Sequence, residues 1–141
     1  MANDSASGKP AMTGVSVPMW TKTNSFIPLI DVIELFDEKS FTWVVLSFDG
    51  SGTYPKGLNW AEFQDEVDLG KAHLTWASIQ EFASSLDQMY EGEIVAYTAI
   101  GEPPVIEIEI FDSTEYNLTV NNSEIDEARL HSGICAIISR S

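Results

Sequence analysis

Residues 105–111 read Val-Ile-Glu-Ile-Glu-Ile-Phe. This alternation puts Ile106, Ile108 and Ile110 on one face of an extended segment and Val105, Glu107, Glu109 and Phe111 on the other. A helix cannot use the pattern, because its apolar stripe needs spacings of three and four. The stretch therefore predicts a strand with an isoleucine face in the core and an acidic outer face with apolar flanks.

The neighbouring sequence builds a sheet around it. Upstream, Ile94–Ile100 (Ile-Val-Ala-Tyr-Thr-Ala-Ile) has strand composition, and Gly101-Glu102-Pro103-Pro104 supplies a turn, so the two runs predict a hairpin. Downstream, Tyr116–Val120 predicts a third strand. Ser123 is placed to cap a helix over 124–131 ended by Gly133, and the apolar run Ile134–Ile138 predicts a last strand. Earlier, Phe41–Phe48 is β-branched and aromatic and is followed by Asp49-Gly50-Ser51-Gly52, a tight turn. That tetrapeptide resembles the opening of a calcium loop but lacks its alternating acids and closing glutamate.

Helical spacing occurs in three further places. Ile30, Ile33 and Phe36 define a helix over about 27–37, with Pro28 in its first turn. Asn59 with Glu62 three residues on forms a capping pair for a helix over about 59–68, closed by Gly70. Thr75 caps a helix over about 75–89 whose Trp76, Ile79, Phe82 and Leu86 share one face. Trp43, Trp60 and Trp76 are assigned to the core. The fold class is α+β, a mostly antiparallel sheet with helices packed on one face. Residues 1–23, rich in Ser, Gly, Ala and Pro, are expected to be a disordered, leader-like or tag-like segment, and 24–141 a single acidic domain.

Charge narrows the function. The chain has 22 acids against 7 bases, a net of −15. From Asn59 to Glu127 there are 16 acids and one base, Lys71. Solubility asks for a net charge of roughly 2 to 8 in magnitude, and repulsion beyond that lowers stability, so the excess points to use in binding. A solvating surface of the halophilic kind is the alternative. Nucleic acid and anionic membranes repel such a surface, which leaves a cationic protein as partner. No run of eighteen apolar residues and no secretory pattern is present, so a cytoplasmic protein is expected.

Chemistry-bearing motifs are sparse. Cys135 is the sole cysteine and is expected to be a buried, inert thiol; with His73 and His131 it makes no zinc pattern, and no metal or cofactor is expected. His131 reads as a dipole contact at a helix end. Neither a nucleophile elbow, a zinc-protease motif nor a phosphate loop occurs, so the chain is read as a binder, not an enzyme. The sequons Asn117-Leu118-Thr119 and Asn121-Asn122-Ser123 carry weight only in a secreted protein. The candidate partner contacts are Glu107, Glu109, Asp112, Glu115 and Tyr116 along the acidic strand, and Glu62, Asp65 and Asp68 on the 59–68 helix, where Glu66 adds a fourth acid.

The segment Phe111-Asp112-Ser113-Thr114-Glu115-Tyr116-Asn117-Leu118 before an acidic helix, with the chain's size and charge, resembles bacterial immunity proteins, the acidic inhibitors paired with polymorphic or contact-dependent toxins. An Asp-Ser-Ser-Tyr-Trp-type element is associated with several such families. Thr114 and Glu115 depart from it and Tyr116 stands where a Trp is expected, so no functional residue is carried over. The resemblance implies tight binding of a basic, nuclease-like toxin domain. Competing readings are a DNA mimic, which needs two acidic rows at phosphate spacing, a small enzyme or ligand-binding domain built from distant segments, and a structural or virion component, which would show a symmetric homo-oligomer.

Overall fold

A computed structural model describes residues 12–36, 40–52, 60–99 and 101–139. Within them the elements run β1 (Met12–Pro18), α1 (Leu29–Ile33), β2 (Thr42–Gly52), α2 (Trp60–Asp68), β3 (His73–Leu74), α3 (Trp76–Ser84), β4 (Leu86–Tyr97), β5 (Ile106–Phe111), β6 (Glu115–Asn121) and α4 (Glu127–Ser139). The six strands form one sheet in the order β1-β6-β5-β4-β2-β3, antiparallel at every pairing. The chain is thus α+β, with helices on one face of an antiparallel sheet.

Strand β5 sits near the centre and alternates as its sequence requires. Ile108 pairs with Ile94 of β4 and with Leu118 of β6, and all three are buried. Together with Trp43, Val45, Ile106, Ile110, Tyr116 and Val120 they form the sheet's contribution to a single core. The helices bury Leu29, Val32 and Ile33 of α1, Phe63 and Val67 of α2, Ile79, Phe82 and Ala83 of α3, and Leu130, Ile134 and Ile137 of α4 in the same cluster. Val105 precedes β5 and is buried as well, against the expectation of an outward position. Trp43 is fully buried, its indole N–H without a hydrogen-bond partner, and Trp76 packs against the core edge. The Trp60 side chain and Asn59 lie outside the described residues.

Two capping devices work as the sequence implies. Thr75 accepts a hydrogen bond from Ser78 N–H at 3.2 Å at the start of α3. At the end of α2, Gly70 takes φ 72 while Gly70 N–H and Lys71 N–H donate to the carbonyls of Val67 and Glu66, a Schellman closure.

Several boundaries differ from the sequence expectation. Residues 12–18, assigned to a leader, are an edge strand paired with β6 from Met12↔Asn121 to Pro18↔Glu115. Their alternation puts Val17 in the core; residues 1–11 lie outside the described residues. The expected turn at Asp49–Gly52 is instead the end of β2, bent by register shifts. A Cβ on Gly50 would fall 2.3 Å from Gln88 O and one on Gly52 2.5 Å from Ser85 O, so these glycines permit close strand approach. The helix expected to reach residue 89 stops at Ser84, and Leu86–Met89 pair with the end of β2. Ser85 closes α3, its hydroxyl donating to Phe82 O at 2.8 Å. Ile134–Ile138 is helical, and Gly133 lies inside α4, which starts after Asp126. Asp126 caps it, accepting from Arg129 N–H at 3.2 Å. Ser123 instead donates through N–H and Oγ to Asn121 Oδ1.

Tyr116 joins the sheet to the segment leading into α1. It is buried, and its hydroxyl donates to Ile27 O at 2.7 Å. Burial first, and the Asp31 carboxylate second, push its phenol well above the ordinary value of 10.0. A folded-state pKa raised this way adds stability that is complete below about pH 10 and is lost as pH rises beyond it. Tyr116→Phe is expected to cost about 1–2 kcal/mol near neutral pH, because it orphans a buried carbonyl. It should also flatten the alkaline limb of the stability curve, as urea unfolding at stepped pH would measure.

Candidate partner-binding face

The face of the sheet away from the helices is organised in rows set by register. One row runs Ser16, Asn117, Glu109, Glu93, Ser47 across β1, β6, β5, β4 and β2. The next runs Gly14, Thr119, Glu107, Val95, Val44. At the other side, Pro18 pairs with Glu115 and Glu115 with Phe111. Glu91, Glu93, Glu109 and Phe111 border one shallow depression with Ser47.

Side chains fix part of this arrangement. Ser16 Oγ donates to Asn117 Oδ1 at 2.8 Å, and Asn117 Nδ2 donates to Glu109 Oε1 at 3.2 Å. The amide of Asn117 therefore holds the Glu109 carboxylate in place, directly opposite exposed Glu93. Like charges facing each other across antiparallel strands destabilise a sheet. The described bases Lys22, Lys71 and Arg129 lie in the 21–25 loop, after α2 and on α4, outside the strands of this face.

Of the residues singled out from sequence, Glu107, Glu109 and Glu115 share this face, and Asp112 stands exposed at the β5–β6 turn. Tyr116 does not belong with them: it points into the core on the alternate phase of β6 and has no surface to offer. Glu62, Asp65, Glu66 and Asp68 are exposed on α2, whose Phe63 and Val67 pack in the core. They sit on the helical layer, so the strand acids and the helix acids do not make one patch. Glu91 and Glu93 are additional members, hidden in the sequence because Glu91-Gly92-Glu93 looks like a turn; the spacing Glu91, Glu93, Val95 carried the strand signal.

Other expectations need correction. Cys135 is exposed, because α4 buries Leu130, Ile134 and Ile137 and carries the next residue outward. His131 lies within α4, its Nε2 3.8 Å from Glu127 Oε2, and not at a helix end. Among the described residues there is no metal-binding cluster and no helix long and apolar enough to cross a membrane. The groove between α1 and α4 is lined mainly by Leu35, Phe36, Phe41, Ile125 and Leu130. No family model, curated protein or solved structure matches the chain.

The opposed glutamates give a direct stability test. Glu93→Lys turns a repulsive pair into an attractive one with Glu109 and is expected to stabilise the domain by about 0.5 kcal/mol. Urea midpoints at low and high salt should show the gain shrinking as salt screens the pair; a loss of stability would contradict the assignment.

Proposed function

We propose that the chain is an acidic binding protein that neutralises a basic protein partner, of the immunity type that inhibits a cognate bacterial toxin. The observation that carries this reading is the pair Glu93 and Glu109, set face to face on the exposed side of the sheet. Such a pair lowers stability, and the amide of Asn117 holds the Glu109 carboxylate in place on that face. Glu91, Glu107 and Glu115 extend the same negative surface. A net charge of −15 steers a cationic domain toward that surface. Steering of this kind raises association rates to about 10⁸–10⁹ M⁻¹s⁻¹ at low salt, against about 10⁵–10⁶ for a neutral pair. Fast capture suits a protein that must meet a toxin before the toxin meets its target.

The alternatives draw less support. A DNA mimic needs two continuous acidic rows, whereas here the acids divide between an open sheet face and the outer side of α2. An enzyme needs convergent polar groups in a cleft, and the buried phenol of Tyr116 is spent on a backbone carbonyl.

The test is capture from a lysate of the source organism at low and raised salt, read beside the neighbouring gene. A basic toxin domain encoded next door and released by salt is the expected result, and Glu107→Lys with Glu109→Lys should weaken its capture without lowering the unfolding midpoint. Undiminished capture by that double variant at low salt would remove β5 from the interface. Recovery of an unlinked nucleic-acid enzyme instead would favour mimicry.

A further inference from the structure

Four exposed aromatic side chains surround one corner of the open sheet face. Trp20 is 51% exposed, Phe111 48%, Tyr90 47% and Phe26 41%. Trp20 and Phe26 face each other across a β-bridge with ring centroids 5.2 Å apart. The Trp20 indole N–H reaches Ser113 O at 3.4 Å, and Ser113 N–H donates to Tyr90 O at 3.0 Å, so the β5–β6 turn ties the rings to one another. A core would have absorbed such side chains; Met19 and Ile27, their sequence neighbours, are buried.

The backbone holds this corner in an uncommon conformation. The non-glycine residues of positive φ among those described are Asn24, Asp112 and Ser113, at 63, 51 and 57, and all three flank it. Left-handed backbone is sparsely populated by residues with side chains, Asn and Asp adopting it most readily after glycine. The 21–25 loop is closed by its own groups: Thr21 N–H donates to Ser25 O at 2.9 Å, and Ser25 N–H to Thr21 Oγ1 at 3.0 Å. Rings presented by two fixed turns lose little freedom on binding.

A carboxylate belongs to the same corner. Glu115 pairs with Pro18 on one side and with Phe111 on the other, and Trp20 follows Pro18 by two residues, its indole N–H at Ser113 O of the same turn. Asp112 and Glu91 add negative charge at the rim. An ammonium group needs only the charge. A guanidinium is planar, stacks on an aromatic face and meets a carboxylate with two parallel N–H donors. We infer that Trp20, Phe26, Phe111 and Glu115 form a seat for an arginine side chain of the basic partner, which anchors the complex while the glutamates of β4 and β5 steer it. This rests on the reading of the open face as the binding surface.

The probe is a pair of fluorescein-labelled peptides of equal length, one a Gly-Arg repeat and one a Gly-Lys repeat, titrated by anisotropy against the full chain at low salt. The full chain is expected to prefer the arginine peptide by about twofold to fivefold. Trp20→Ala, and separately Phe111→Ala, should bring the two affinities together while each variant still unfolds in a single cooperative transition. Equal binding of the two peptides by the parent, or a preference that survives both substitutions, would overturn the arginine seat and leave the acidic-face reading standing. Failure of both peptides to bind at low salt would overturn both the seat and the acidic-face reading. A concentration-dependent dimer in sedimentation, abolished by Trp20→Ala, would assign the corner to a second copy of the chain and overturn the seat.

Discussion

The register that sets Ile108 between Ile94 and Leu118 governs both sides of the sheet at once. Side chains of a strand alternate between faces, so a slip of one residue in β5 would carry Glu107 and Glu109 into the core and expel three isoleucines. The core contacts of Ile106, Ile108 and Ile110 therefore fix which carboxylates reach the surface and where. Helices α1 to α4 add their apolar stripes to the isoleucine side, while on the other side Glu91, Glu93 and Glu109 are exposed and Val44 and Val95 are buried outside that core.

That coupling explains why the acidic face can persist despite its repulsion. Burial of a large aliphatic side chain is worth about 1.5–3 kcal/mol, whereas an opposed pair of like charges on a sheet costs a fraction of a kilocalorie to about one. The isoleucines of β5 and their neighbours outweigh the glutamate repulsion several times over. The hydrogen bonds from Tyr116 to Ile27 and from Asn117 to Glu109 act in the same sense, one tying α1's approach to the sheet and the other fixing a carboxylate on the opposite side. Neighbouring residues of β6 thus serve the two faces separately.

The sheet's centre was legible in the sequence because β5 and β6 obey period two without interruption. Elements where two signals compete were not. In β1 the sequence Met-Thr-Gly-Val-Ser-Val-Pro carries the inward alternation Thr13, Val15, Val17, but its small residues matched a flexible leader in composition. In α4 the run of apolar residues after Gly133 imitated a strand, while the spacing of Leu130, Ile134 and Ile137 held the helical signal. Gly133 tolerates the helix interior where Leu35 comes close, a Cβ there falling 2.7 Å from Leu35 Cδ2, and that contact is a tertiary fact. Of the candidate contacts, the acids of β5 were readable from alternation alone. The same alternation placed Tyr116 inside, and reading it as surface came from grouping by sequence proximity. The aromatic corner depends on two turns meeting across the sheet, a juxtaposition of residues more than ninety positions apart.

On the proposed reading, the open face of the sheet, and not the helical layer, receives a cationic partner. Hydrogen exchange on the chain alone and in complex with the basic protein captured at low salt tests it most directly. Slowed exchange over residues 90–93, 107–115 and 18–26, with α2 and α4 unchanged, is the expected result. Protection confined to α2 and α4, with the exchange of β4 and β5 unaltered, would contradict it.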